Sequence, residues 1–194
     1  TVGGGQAVLR VCQRLSGPGV CRVVGQGCSG RALPSSQGVL LVLTRLDQIL
    51  EVDSGNRRAR VQPGVRNLAI SEAVAGHGLY YAPDPSSQIA CSIGGNVAEN
   101  AGGVHCLKYG LTVHNIVALK LVDVSGELIE VDGRACSVDL LPVLIGSEGM
   151  LGVVVEVTVM LKVIPPAVET LLCAFDSVAA ASDAVAAIIS AGII

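Results

Sequence analysis

Residues 82–103, APDPSSQIACSIGGNVAENAGG, contain few bulky or charged side chains and many small ones. Two glycine pairs, Gly94-Gly95 and Gly102-Gly103, stand among short polar residues. Glycine costs backbone entropy on folding, so paired glycines indicate a backbone that comes very close to another group. Backbone N–H groups in glycine-rich turns also form concavities that bind anions. The stretch therefore predicts a site for a nucleotide diphosphate or a flavin.

A flexible Gly/Ser linker is the alternative interpretation of the same composition. However, Ile89, Ile93 and Val97 are spaced by four residues, as on one face of a helix. A free linker has no use for that spacing, so we expect a folded segment.

The composition of the 194-residue chain indicates one domain, or one domain and a piece of another, with an aliphatic core. Hydrophobic residues make up 51% and aromatic residues only 2%, which excludes disorder and leaves little for base stacking. The net charge of -3 and the lack of basic runs predict no nucleic-acid partner. No window offers about 18 uncharged apolar residues in a row, so we expect no membrane span.

The seven cysteines show no C-x-x-C pair and no zinc-type spacing. We therefore predict no metal site, and free buried thiols in a reducing compartment, the cytoplasm.

Periodicity and turn signals predict an α+β fold with mixed sheets, rather than the regular β-α repeat of a doubly wound fold. Asp53-Ser54-Gly55-Asn56 and Ser125-Gly126 each indicate a hairpin. The predicted helices cover 7–15, 65–75 (closed by Gly76), 138–144 and 178–190. The predicted strands cover 20–24, 39–43 (buried), 49–52, 58–61, 116–124, 127–131, 153–161 and 170–175.

Two further stretches are rich in glycine. Residues 22–34, RVVGQGCSGRALP, follow a predicted strand, and an ordinary surface loop explains them about as well as a ligand loop does. Residues 146–153, GSEGMLGV, precede a strand and place Glu148 in apolar surroundings, where a solvent-exposed carboxylate is the alternative.

Three segments together resemble one known family: RVQPGVRNLAISEAV, YYAPDPSSQIACSIGGNVAENAGGVHCLKYGLTVHN and GSEGMLGVVVEVTV. They are similar to the PCMH-type (vanillyl-alcohol-oxidase-type) FAD-binding domain of FAD-linked 2-hydroxy acid oxidases. The resemblance covers nearly the whole chain. It implies two α/β subdomains with mixed sheets over 1–165, truncated at the N-terminus. It also implies that 166–194 form the opening strand and helix of a truncated C-terminal substrate domain.

The resemblance implies FAD as the cofactor, bound non-covalently because no histidine lies in the first loop. The first loop would bind the diphosphate, the central stretch the pyrophosphate, ribityl and isoalloxazine groups, and the third stretch the adenosine and ribityl part. The implied cofactor-binding residues are Gly25, Gly27, Ser29, Gly30, Pro83, Asp84, Ser86, Ser87, Gly94, Gly95, Asn96, Asn100, Gly102, Gly103, Tyr109, Gly110, Glu148, Gly149, Gly152 and Val153.

The first loop departs from the usual Arg-Gly-x-Gly-Thr pattern of the family. Val23, Gln26 and Arg31 stand where glycine, threonine and glycine are usual. A valine cannot adopt a positive φ cheaply, so we expect either weaker FAD binding or a shifted loop.

The three histidines receive structural roles. We expect His77 to lie exposed in a turn, and His105 and His114 to flank a turn near the flavin edge. Neither His105 nor His114 has a partner at a recognisable spacing, so a catalytic role is disfavoured and no catalytic residue is assigned.

The implied function is the FAD-binding part of an oxidoreductase that converts a 2-hydroxy acid, of the glycolate or D-lactate type, to a 2-oxo acid. Electrons would pass to partner subunits or a quinone, with the protein in the cytoplasm or peripheral to the inner membrane through those subunits. The fragment alone should be inactive, because the metal-binding segments of the substrate domain are not in it. The alternatives are a flavoprotein like UDP-N-acetylenolpyruvoylglucosamine reductase, or a non-catalytic remnant.

Overall fold

The computed structural model describes residues 2–14, 19–22, 38–133 and 138–193, with the backbone alone described for 19–22. The chain divides into two compact units, Thr1–Val163 and Ile164–Ile194. The first unit contains α1 (Val2–Arg14), β1 (Gly19–Arg22), β2 (Val39–Val42), β3 (Ile49–Asp53), β4 (Arg58–Val61), α2 (Asn67–Val74), β5 (Leu79–Tyr80), α3 (Ile93–Glu99), α4 (Cys106–Tyr109), β6 (Ile116–Val122), β7 (Leu128–Asp132), α5 (Leu141–Leu144), β8 (Val153–Met160) and β9 (Lys162–Val163). The second unit contains α6 (Val178–Ser190).

The main sheet has five antiparallel strands in the order β3-β4-β8-β6-β7. Strands β1 and β2 form a separate parallel pair, and β5 pairs antiparallel with β9. Helices are interspersed with these strands along the chain. The architecture confirms the predicted α+β class with strand pairs of both directions.

Both predicted hairpins are confirmed, and an aspartate organises each turn. Asp53 Oδ1 accepts the Asn56 N–H at 2.9 Å, and Asp123 Oδ1 accepts the Ser125 N–H at 2.8 Å. The side-chain hydrogen bonds from Asn56 and Ser125 are the largest causes that hold the pKa values of Asp53 and Asp123 below their usual range. Side chains that satisfy turn N–H groups favour the turn over extended structure.

Two hydrophobic clusters pack against the main sheet. Buried and half-buried residues alternate along β8. Val157 and Val159 belong to the larger cluster, whereas Val153 and Val155 belong to a smaller one with Leu43 and Val122. Side chains from the strands and helices of this unit complete the largest cluster, which includes Ile70, Val74, Ile93, Val97, Leu119 and Leu161. This packing places the α2 and α3 segments against the sheet.

A row of alternating charges crosses all five strands of the main sheet. Glu51 on β3 pairs with Arg60 on β4 at 3.1 Å, and Arg60 pairs with Glu156 on β8 at 3.0 Å. Glu156 also pairs with Lys120 on β6 at 3.4 Å, and Lys120 lies 3.9 Å from Glu130 on β7. Opposite charges across strands favour one register over its one-residue slips.

Replacing Glu156 with glutamine should lower the free energy of unfolding by about 1 kcal/mol at low salt, because two cations lose one shared partner. The loss should shrink in about 1 M NaCl, since salt screens half-exposed pairs. Glu130→Gln is the matched control at the exposed end of the row, and its effect should be close to zero. Urea denaturation at the two salt concentrations measures both, and a loss at Glu156 that is insensitive to salt would contradict this assignment.

Several predictions about individual elements are wrong. Ile89 does not join Ile93 and Val97 on a helix, because it lies in a turn before α3 and is 66% exposed. Residues 170–175 form no strand, and no ladder partner for them occurs among the residues that the structure describes. The stretch 39–43 is a strand at Val39–Val42, but Val39, Leu40 and Val42 are exposed. Among the described residues, the ladder partner of β2 is β1.

Two smaller predictions also need correction. The helix predicted to close at Gly76 ends with a 3₁₀ turn, Ala75–His77, and Gly78 supplies the left-handed cap at φ 70°. Cys12 is buried as expected, whereas Cys106 and Cys173 are exposed, so the prediction of buried thiols is wrong for these two.

Helix α6 matches its predicted bounds. Within the described ranges no helix is long and apolar enough to cross a membrane.

Candidate cofactor site

Helix α3 is the centre of the predicted site, and local hydrogen bonds fix both of its ends. Ser92 precedes the helix, and its Oγ accepts the Gly95 N–H at 3.3 Å. Asn100 ends the helix in a left-handed conformation at φ 50°, which asparagine tolerates better than most residues. The Asn100 Oδ1 then accepts the Val113 N–H at 3.0 Å. The helix is thereby tied to the segment that leads into β6.

The third glycine-rich stretch lies against the end of α3. The Gly146 N–H donates to the Val97 carbonyl and the Glu148 N–H donates to the Ala98 carbonyl, both at 2.8 Å. Glu148 is half-buried and has a positive φ of 53°. The structure thus brings the second and third stretches together.

The first stretch lies outside the described residues from Val23 onward. This applies to the four predicted ligands Gly25, Gly27, Ser29 and Gly30, and to the atypical residues Val23, Gln26 and Arg31.

The loop that begins at Pro83 is held by two polar side chains. Asn67, which is buried, donates from Nδ2 to the Pro83 carbonyl at 3.1 Å. Asp84 Oδ2 lies 2.5 Å from His105 Nδ1, and Asp84 Oδ1 accepts the His105 N–H at 3.3 Å. Ser86 and Ser87 follow on the surface. This loop is therefore fastened to the turn that contains Gly102 and Gly103.

His105 and His114 each make a hydrogen bond through a ring nitrogen. His105 pairs with Asp84, which lies 21 positions away and so gives no local spacing signal. His114 Nδ1 accepts the Leu111 N–H at 3.0 Å. His77 is exposed in its turn, as predicted.

At most of the predicted glycine ligands that the structure describes, another part of the chain lies too close to the backbone for a side chain to fit. A Cβ at Gly95 would be the exception in α3, since its nearest neighbour would be Ser92 Oγ at 3.4 Å. At the other positions a Cβ would collide: 2.6 Å from Pro63 Cβ at Gly94, 2.7 Å from Leu111 Cδ2 at Gly102, 2.5 Å from the Asp84 carbonyl at Gly103, 2.6 Å from His114 Nδ1 at Gly110 and 2.6 Å from Leu121 Cδ1 at Gly152. Close packing within the chain therefore accounts for these glycines, and Gly95 is the one in α3 with room for another group.

Two buried amides leave polar atoms without a protein partner in the described part of the chain. They are Asn96 Nδ2 and Asn115 Oδ1. Buried polar atoms are almost always hydrogen-bonded, so such an atom beside a predicted ligand site is available to a ligand or a water. Asn96 lies in α3 next to Gly95, and its free donor fits a cofactor oxygen.

Three aromatic and cationic side chains line the turn after Gly103. The rings of Tyr80 and Tyr109 meet edge to face with centroids 6.1 Å apart, and Lys108 Nζ lies 5.6 Å from the Tyr109 centroid. Burial raises the pKa of Tyr80, with a smaller contribution from its hydrogen bond to Tyr109. The phenol of Tyr80 therefore stays protonated and neutral at physiological pH.

An apolar groove of about 320 Å³ lies between α1, β2 and the ends of β6 and β8. Val153 is among its lining residues, with Leu9, Leu43 and Val122, while Arg45 contributes a charge. The third stretch thus runs from the end of α3, at Glu148, to this groove.

The five-stranded antiparallel sheet and the segments around α3 form a domain of the α+β type. A solved structure of alkyldihydroxyacetonephosphate synthase shares this fold with a TM-score of 0.83 over 97% of this chain and 35% of that chain; the sequence identity is 21%. Residues 3–132 match the family model described as FAD binding domain. The chain belongs to this family, and FAD is the cofactor that the family identifies.

Two curated relatives match almost the whole chain. Glycolate oxidase subunit GlcD of Escherichia coli (strain K12) is 60% identical over 191 residues, which are 97% of this chain and 38% of that protein. Glycolate oxidase subunit GlcD of Bacillus subtilis (strain 168) is 39% identical over 191 residues, 96% of this chain and 41% of that protein. The chain thus spans about two fifths of the length of these relatives.

Proposed function

We propose that this chain is the FAD-binding part of a flavin-dependent oxidoreductase that oxidises a 2-hydroxy acid, of the glycolate or D-lactate type, to a 2-oxo acid. The match of nearly the whole chain to glycolate oxidase subunits carries this proposal. Residues 1–165 would form the FAD-binding domain, and 166–194 would open the substrate domain.

The residues around α3 fit FAD. Gly95 leaves space beside the helix, and the Asn96 amide offers a buried donor to an oxygen of the cofactor. Asn100 and Glu148 flank the same end of α3 and would bind the ribityl and adenosine side. Residues 82–103 contain few charged side chains, and such surroundings suit a long flat cofactor. No histidine lies in residues 22–34, so binding would be non-covalent.

In the proposed reaction the hydroxy acid loses its α-hydrogen with two electrons and its hydroxyl proton, which leaves the 2-oxo acid. Bound FAD supplies the two-electron acceptor. The residues of this chain hold the cofactor and exclude water from one side of it, and the base that accepts the hydroxyl proton would come from the substrate domain. Partner subunits or a quinone would then take the electrons, with the enzyme in the cytoplasm or held at the inner membrane by those subunits.

Titration of the purified chain with FAD tests the cofactor part of the proposal. We expect saturable quenching of flavin fluorescence with one FAD per chain, and weaker binding of FMN, which lacks the adenosine half. A chain that shows no saturable FAD binding would instead be a non-catalytic remnant. In the full-length protein, bleaching of the flavin absorbance by glycolate or D-lactate, but not by NADPH, would distinguish the hydroxy acid oxidase from the reductase alternative.

A further inference from the structure

Two segments of the candidate site run beside each other without forming a ladder. They are residues 80–84, from the end of β5 into the Pro83 loop, and residues 102–109, from the second glycine pair through α4. Without the repeated backbone hydrogen bonds of a ladder between them, side chains must set their separation. The contacts between them therefore decide the shape of this part of the site.

Close packing joins the two segments at two points. A Cβ at Gly103 would lie 2.5 Å from the carbonyl carbon and oxygen of Asp84, so the backbones approach too closely for any side chain at this position. Further along, Tyr80 and Tyr109 make their edge-to-face contact. These contacts between the two segments are apolar or steric and have little directionality.

Asp84 and His105 provide the directional contact between the same segments. Both carboxylate oxygens of Asp84 are engaged by one residue: Oδ2 by the imidazole Nδ1 and Oδ1 by the backbone N–H of His105. A carboxylate only accepts hydrogen bonds, so Nδ1 carries the hydrogen in this pair. A two-point contact of this kind fixes both distance and orientation.

We propose that the Asp84–His105 pair, named here the clasp, holds the Pro83 loop against the Gly103 turn in the arrangement that binds FAD. This inference rests on the proposed function. It assigns Asp84 as a positioning residue that acts through His105, rather than as a direct ligand of the cofactor, because each of its oxygens already accepts a hydrogen bond from His105.

The clasp lies near the surface, with the side chains of His105 and Asp84 59% and 22% exposed. Exposed ion pairs contribute little to global stability. Loss of the clasp should therefore leave the domain folded and act on the position of the loop. Positioning contacts of this type raise ligand affinity by preorganising the site, so their loss weakens binding.

A double-mutant cycle on FAD affinity tests the clasp with the whole chain. The variants are Asp84→Asn, His105→Ala and the double variant, and His77→Ala is the control because His77 is exposed outside these two segments. We expect each single variant to bind FAD about tenfold more weakly, as for loss of a hydrogen bond to a charged group. The double variant should bind no more weakly than either single variant, and His77→Ala should bind like the wild type. Urea denaturation checks that all four variants remain folded.

A second measurement reads the clasp without the cofactor. In the wild-type chain the His105 amide should exchange its hydrogen slowly, and in Asp84→Asn it should exchange faster, because the charged acceptor is lost. Equal exchange rates would overturn the clasp. Additive losses in the cycle, or a loss for Asp84→Asn alone, would show that Asp84 contacts FAD directly and would also overturn it. Failure of the wild type to bind FAD would overturn the proposed function, and with it the link between the clasp and FAD.

Discussion

Replacing Gly94 with alanine should lower the free energy of unfolding by about 3 kcal/mol, the upper end of the usual cost of overpacking. A Cβ at this position would lie 2.6 Å from Pro63 Cβ and 3.0 Å from the Pro63 carbonyl oxygen. The proline ring and the backbone cannot move aside as a flexible side chain could. The Gly94 N–H also donates to the same carbonyl at 2.9 Å, so any retreat of the helix would lengthen this bond.

Gly95→Ala is the matched comparison, one residue further along α3. Its Cβ would make an ordinary contact with Ser92 Oγ, and alanine favours a helix over glycine by about 1 kcal/mol. We therefore expect unchanged or slightly greater stability, together with FAD binding at least about tenfold weaker as the methyl group enters the cofactor space. Urea denaturation and FAD titration of the two variants measure the two effects. Wild-type stability of Gly94→Ala would contradict the packing assignment, and wild-type FAD binding by Gly95→Ala would remove Gly95 from the site.

This contrast shows what the glycine pattern could predict. A glycine pair indicates that something comes close to the backbone, but the sequence does not say whether that group is a ligand or another part of the chain. For Gly94 the group is Pro63, and for Gly103 it is the backbone of Asp84. Pro63 and Asp84 are each distant in sequence from the glycine that they approach. Neither contact therefore has a local signal in the sequence.

The elements that the sequence predicted well are those with local causes. The hairpin around Asp53 follows from turn chemistry within four residues, and the β8 strand follows from β-branched residues with a period of two. Ser177 caps the start of helix α6, because its Oγ accepts the Ala180 N–H at 3.1 Å.

The elements that failed depend on partners that the local pattern does not contain. Residues 170–175 have strand propensity, but a strand needs a ladder partner. Ile89 has the right spacing for α3, but Ser92 caps the helix and places Ile89 outside it. The contact between His105 and Asp84 could be predicted only if the meeting of the Pro83 loop and the Gly103 turn were already known. The candidate site was thus predictable as a set of segments, while the side-chain pairing within it was not.

Glu148→Gly should raise the free energy of unfolding and weaken FAD binding at the same time. Glu148 holds a left-handed conformation at φ 53°, which costs a residue with a side chain about 1–2 kcal/mol, and glycine relieves this at a smaller entropic cost of about 0.5–1 kcal/mol. The net gain should be about 1 kcal/mol or less. A strained residue that persists beside a candidate site is consistent with a functional role for its side chain. If its carboxylate hydrogen-bonds the cofactor, removal should weaken FAD binding by about ten- to a hundredfold.

Arg57→Gly is the matched control, because Arg57 has the same φ of 53° but lies in the β3–β4 turn, away from α3. Both variants should gain stability in urea denaturation, and only Glu148→Gly should lose FAD affinity. A gain in stability together with a loss of FAD affinity would indicate that the Glu148 side chain contacts the cofactor. A glutamate retained by chance in a surface loop would leave FAD binding intact when replaced, so equal FAD affinity of the two variants would show that the strain at Glu148 serves the fold of its loop and not the cofactor.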